Sequence, residues 1–169
     1  MRHFFSRRLT WLLMIAVLMS LSACGFKLRG PVSFPFHSIY VGVPETSEFG
    51  ALLRRQIRAN GQTQVTTKSE DAEVIMEVLL DSREKQVLSL NSQGRVREYN
   101  LLYNFSFRLR NASGKEYLEP VKIQLKRTIT FNESVVLAKE SEEAALYRDM
   151  QNDLVQQVMR RLSVVKMDD

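Results

Sequence analysis

The sequence predicts an α+β domain, with two helices packed on one face of a four-stranded, mainly antiparallel (mixed) sheet. Three observations predict it. Arg95 to Arg110 alternates apolar and polar residues between two glycine-containing turn signals. Apolar residues recur at helical spacing before this region and again after it. The elements read strand, helix, three longer strands, helix, an order that two layers satisfy.

The chain opens with Arg2, Arg7 and Arg8, followed by an apolar run from Leu9 to Leu21. A basic start, an apolar centre and small residues at the exit form an export signal. The apolar run is well short of the roughly 20 residues that cross a bilayer. It ends in Leu21-Ser22-Ala23-Cys24, which resembles the bacterial lipobox, and Cys24 is the sole cysteine. Residues 1–23 are therefore expected to be a cleaved lipoprotein signal peptide. Cys24 is the expected lipidation site, carrying an S-diacylglycerol and an N-palmitoyl chain. Each buried acyl carbon contributes about 0.8 kcal/mol, so three chains make a lasting membrane anchor. Lipoproteins kept at the inner membrane usually carry aspartate after the cysteine; Gly25 stands there, which implies passage to the outer membrane. Residues 24–36 hold Gly30, Pro31 and Pro35 without periodicity and read as a lipidated tether. Residues 37–169 are expected to form a single domain.

Within that domain, His37 to Val43 reads as a short strand ended by Pro44. Thr46 or Ser47 is placed to cap a helix reaching about Asn60, with Phe49, Leu52, Leu53 and Ile57 on one face. Asn60-Gly61 ends it. Ala72 to Asp81 is strongly apolar, as expected of a central strand, and its pattern can continue through Val87, Leu88 and Leu90. Asn91-Ser92-Gln93-Gly94 is a turn signal. In the next strand Tyr99, Leu101, Tyr103, Phe105, Phe107 and Leu109 share a buried face. Asn111 to Gly114 turns again, and Lys115 to Asn132 returns as a strand in which Pro120 implies an edge or a bulge. Ser141 is the expected N-cap of the last helix, with Tyr147, Met150, Leu154, Val158, Leu162 and Val165 along its apolar stripe.

Charge narrows the partners. The whole chain has a formal charge of +5, but the export signal holds three arginines and no acid, leaving 21 basic and 19 acidic residues, or +2, in the mature part. That balance does not point to nucleic acid. No catalytic residue set is read: His3 leaves with the signal, and His37 has no nucleophile motif nearby. No metal-ligand spacing or phosphate loop is present, so neither a metal nor another cofactor is expected. Asp149 and Asp153 read as solvated helix charge. The positive feature is a polar sheet face together with the Arg95 turn region: Arg95, Arg97, Arg108, Arg110, Lys122 and Lys126 are expected to gather on or beside neighbouring strands. Fixed guanidinium and ammonium groups bind phosphorylated amphiphiles through charge-assisted hydrogen bonds. The plainer alternative is a solvated face with edge-protecting lysines.

Several segments taken in order resemble one family. Cys24-Gly-Phe-Lys-Leu-Arg-Gly30, the helix end Leu-Arg-Arg-Gln-Ile-Arg-Ala-Asn-Gly61, Gly94 followed by Glu98-Tyr99, and Leu137-Ala138-Lys139 together are similar to the LPS-assembly lipoproteins, the LptE (RlpB) family. The resemblance implies two helices on a four-stranded sheet and no enzymatic activity. It implies an outer-membrane lipoprotein, facing the periplasm and lying inside the lumen of a large β-barrel of LptD type. There it would plug the barrel, help it to assemble, and bind lipopolysaccharide during insertion into the outer leaflet. Lys139 falls on the Leu-Ala-Lys motif whose lysine is implicated in lipid binding. The family's second basic position, just before the hairpin glycine, corresponds to Ser92, a departure for which Arg95 or Arg97 is the candidate replacement. The implied partners are thus the barrel, lipopolysaccharide and, through the anchor, the membrane. A general envelope-assembly scaffold without a lipid ligand is the rival reading.

Overall fold

The computed structural model describes residues 33–167. The expected signal peptide, Cys24 and most of the expected tether lie outside the described residues.

The elements are β1 (Ser38–Gly42), α1 (Glu48–Ala59), β2 (Gln64–Thr66), β3 (Val74–Leu90), β4 (Val96–Arg110), β5 (Glu116–Thr130) and α2 (Val136–Leu162). The sheet order is β2-β1-β3-β4-β5. It has five strands rather than the four expected, because Gln64–Thr66 pairs in parallel with β1. Three residues leave too short a pattern for periodicity to register. β1 is also parallel to the start of β3, while β3, β4 and β5 form an antiparallel meander. The mixed sheet therefore joins a β-α-β crossover to two long hairpins.

Local chemistry sets the element ends. Ser47, not Thr46, caps α1, its hydroxyl accepting from the Gly50 amide at 3.1 Å. Past Thr66 the outer edge of β1 has no strand beside it, and Arg54 Nη2 donates to the Val41 and Val43 carbonyls at 3.3 and 2.7 Å. Both hairpin turns use one device. Asn91 Oδ1 accepts from the Arg95 amide and Asn111 Oδ1 from the Lys115 amide, with Gly94 and Gly114 at φ 76° and 92°. The expected bulge near Pro120 is present: Phe107 faces Val121 but Leu109 faces Leu118, so β5 carries an extra residue there.

The last helix departs from expectation. A 3-10 turn at Glu133–Val135 runs directly into α2, so Ser141 lies inside the helix, donating to the Leu137 carbonyl at 3.0 Å. Asn132, whose side chain accepts from the Ser134 amide, opens the turn instead. Serine and asparagine both cap well, and the acidic pair after Ser141 drew the boundary to the wrong one.

Both helices contribute to one core. Phe49, Leu53 and Ile57 of α1, and Met150, Leu154, Val158 and Leu162 of α2, join Leu101, Tyr103, Phe105, Phe107 and Leu109 of β4. Phe36 is 2% exposed in this core and Phe34 stacks on it at 5.4 Å, so the packed body takes in the last residues of the expected 24–36 tether. The buried side chains of α2 begin at Met150. Its first half extends over the outer part of the β3–β4 hairpin, where the chemistry is different.

Candidate functional site

β3 explains that difference. Val78 faces Phe107 but Leu80 faces Ser106, so Leu79 is an extra residue and the strand changes parity there. Before it, Val74 and Met76 point into the core and are fully buried. The expected alternation that would carry this face on to Leu80 fails at the bulge: Leu79 and Leu80 are 46% and 47% exposed. After it, Asp81, Arg83 and Lys85 are opposite Phe105, Tyr103 and Leu101, on the helix-covered side. Charged side chains thus meet the first half of α2 where an apolar layer would otherwise lie.

They are accommodated by specific partners. The Arg83 guanidinium lies 5.1 Å from the Tyr103 ring centroid and 5.5 Å from that of Tyr147. It donates to Oε1 of the buried Gln151 at 2.5 Å. Tyr147 donates its hydroxyl proton to the Glu84 carbonyl at 2.8 Å, tying α2 to β3. Lys85 Nζ pairs with Glu143 at 2.6 Å and sits 4.4 Å from the Tyr99 ring centroid. Burial, reinforced by the Asp81 carboxylate, pushes the Tyr103 hydroxyl up to about 12. Tyr147 is raised as well, first by desolvation and then by Glu143. Arg83 and Lys85 were not among the sequence-derived candidates. Their signal was the doubled apolar pair Leu79-Leu80, which breaks the alternation and transfers the following odd-numbered residues to the helix side.

The three basic candidates all lie at the far end of the hairpin. Arg95 follows the β3–β4 turn and pairs with Glu133, just before α2, at 3.0 Å. The Arg97 carbonyl accepts from the Phe131 amide at 2.8 Å. Lys139 Nζ contacts Thr130 Oγ1 at 3.0 Å and Glu142 at 2.8 Å. Glu143, one turn on from Lys139, is paired with Lys85 instead. Arg95 and Arg97 therefore flank the end of β5, from which Lys139 is held. Ser92, the departing position, is at the tip of the same hairpin.

The open sheet face is less basic than expected. Arg108 and Arg110 share Glu77 at 3.0 Å each, and Arg108 also pairs with Glu116 at 2.8 Å. Hydrogen bonds from Arg108 and then Arg110 hold the Glu77 carboxyl below the usual carboxylate range. Along the same face Gln124 donates to Asn104, which donates to Glu84, a polar ladder across three strands. Asp153 is ion-paired with Arg127 of β5 at 2.6 Å. His37 is a surface residue beside Glu73. Among the described residues no group of three His, Cys, Asp or Glu is placed to hold a metal ion, and no helix is long and apolar enough to cross a membrane.

Fold and site thus define a small α+β body with a long hairpin, a charged helix interface and a basic hairpin end, and solved bacterial lipoproteins share this fold. The solution structure of an uncharacterized lipoprotein B from Nitrosomonas europaea matches with TM-score 0.70 and 41% identity, covering 82% of this chain and 90% of that one. The crystal structure of the rare lipoprotein B from Shewanella oneidensis matches the fold with TM-score 0.65 at 23% identity, covering 75% of this chain and 94% of that one. The family model LptE, Lipopolysaccharide-assembly, matches residues 36–162, and the chain belongs to that family. The LPS-assembly lipoprotein LptE of Photorhabdus laumondii is 30% identical over 98% of this chain and 88% of that protein. Its counterpart in Yersinia enterocolitica is 29% identical over 98% of this chain and 78% of that protein.

Proposed function

We propose that this chain is a non-enzymatic, lipid-anchored outer-membrane protein that acts in lipopolysaccharide assembly. It plugs and helps assemble an LptD-type β-barrel and binds lipopolysaccharide as that lipid passes to the outer leaflet. Family membership supports the process, and the lipobox-like Leu21 to Cys24 supports the anchor. The observation that carries lipid binding is that the Arg95 and Lys139 cations sit at the end of β5, on Glu133 and Thr130, where the Arg97 backbone also pairs with Phe131. In this mechanism acyl chains on Cys24 hold the body at the inner leaflet of the outer membrane. The polar face and its Glu84–Asn104–Gln124 ladder match the polar interior of a large barrel. Lipid phosphates reach the cations by displacing the carboxylates of Glu133 and Glu142, one charge-assisted bond exchanging for another.

The scaffold reading is favoured by that same pairing: Arg95 and Lys139 already have carboxylate partners, as structural surface pairs do. Reversing the charge of Arg95, Arg97 and Lys139 separates the two. Loss of lipopolysaccharide binding with barrel co-purification intact is the expected result. Unchanged lipid binding supports the scaffold. A chain that purifies alone, with normal barrel assembly in its absence, refutes the plug.

A further inference from the structure

A cleft of about 240 Å³ lies under the start of α2, lined by apolar side chains and by charged ones. Its apolar lining comes from Tyr99, Ile129, Phe131 and Val136. Ile129 is 4% exposed, and Tyr99 and Phe131 meet edge to face at 5.5 Å, so these walls are fixed by packing. The ammonium groups of Lys85 and Lys139 belong to the same lining, together with the carboxylates of Glu140 and Glu143. Beside it Val135, Val136 and Leu137 are 46%, 39% and 80% exposed on consecutive positions. The volume is below the roughly 300–1,000 Å³ typical of clefts that enclose a whole small molecule.

Resting on the reading of lipopolysaccharide as ligand, we infer that this slot takes one acyl chain of the lipid, with the adjoining phosphate on Lys139 or Lys85. Charge complementarity selects the occupant. An anionic amphiphile places its hydrocarbon on the apolar floor and its charge at the ammonium groups. A wholly polar ligand leaves the floor unused, and a neutral chain leaves both lysines on their own carboxylates. The exposed Val135 and Leu137 extend the greasy surface beyond the slot, so that a chain can be drawn from an aggregate without crossing open water. Glu142 and Glu143 hold the two lysines until the phosphate replaces them.

The test uses the full chain in its native host, carrying a benzophenone amino acid in place of Val136, Arg97 or, on α1 as a control, Arg55. The expected result is a lipopolysaccharide adduct at position 136 in about tenfold excess over position 55, equivalent to about 1.4 kcal/mol of preference. Fragmentation of the adduct peptide is expected to place the new bond on a fatty acyl chain, whether ester- or amide-linked. A lipid adduct at 97 but not at 136 overturns the slot and leaves lipopolysaccharide binding standing. So does an adduct at 136 whose new bond lies on the saccharide, or one made to the chain's own N-terminal peptide. Absence of a lipid adduct at every position overturns both readings. As a second measurement, Val136→Glu places a carboxylate at this partly exposed position and is expected to lower lipid capture at 97 about tenfold with protein level unchanged; undiminished capture contradicts the slot.

Discussion

Arg83 shows how much of this molecule depends on one side chain. It stacks between rings from β4 and α2 and satisfies Gln151, which is 6% exposed. Arg83→Met keeps much of the aliphatic bulk but leaves that amide oxygen unpaired. An unsatisfied buried acceptor costs about 1–3 kcal/mol, so urea unfolding is expected to show a loss in that range. An unchanged midpoint would show that Gln151 finds water instead. Two titrating groups bound the pH range of stability. The Tyr103 hydroxyl has a folded pKa near 12 against an ordinary 10.0. The stability it contributes is complete below pH 10 and is lost as pH rises toward 12. Tyr103→Phe removes that alkaline loss, which a pH series of thermal melts reads. Glu77 has the opposite sign. Its folded pKa is depressed by Arg108 and Arg110, so its contribution is present above the ordinary carboxylate value of 4.5 and disappears as pH falls below it. Glu77→Gln is expected to flatten the acid limb of the same series.

At the scale of elements, the long strands and both helices were legible because their apolar faces repeat over many residues. β4 is the clearest case: every residue from Leu101 to Leu109 on the expected face is buried. β2 was not legible, since three residues carry no usable period. The parity change at Leu79 was hidden for another reason: which of two adjacent leucines is the extra residue depends on the partner strand, not on β3 itself. That bulge decides the site, because it brings Arg83 and Lys85 under α2. Arg95, Arg97 and Lys139 were readable as basic residues near a turn and a helix start, but their carboxylate partners were not, being set by tertiary approach. The α1 packing is testable by Gly50→Ala. The added Cβ would fall inside contact distance of Val43 Cγ2. Overpacking costs about 1–3 kcal/mol, which exceeds the gain of about 1 kcal/mol in helix propensity. A lowered melting temperature is expected, and a raised one would mean Val43 yields freely. Ser47→Ala removes the N-cap bond and is expected to cost about 1 kcal/mol in the same melt.

For the whole molecule, the fold divides labour along the sheet. The end built by β1, β2, α1 and the second half of α2 carries the dense apolar core. The other end is a hairpin held to α2 by Arg83, stacked on Tyr147 and bonded to Gln151, by the Lys85–Glu143 ion pair and by one tyrosine hydroxyl. Contacts of this polar kind are individually weak and exchange with water or ligand more readily than a packed core does. Under the proposed function, such an end trades its own carboxylates for lipid phosphates without unfolding the body. The central claim is that the basic hairpin end binds lipopolysaccharide while the body remains in its barrel. The direct measurement is affinity purification of the full chain from native outer-membrane extract, comparing wild type with Arg95→Asp/Lys139→Asp and weighing both the co-purified barrel and the lipopolysaccharide. The account predicts undiminished barrel with lipopolysaccharide reduced about tenfold; equal lipopolysaccharide in both samples, or no barrel in either, contradicts it.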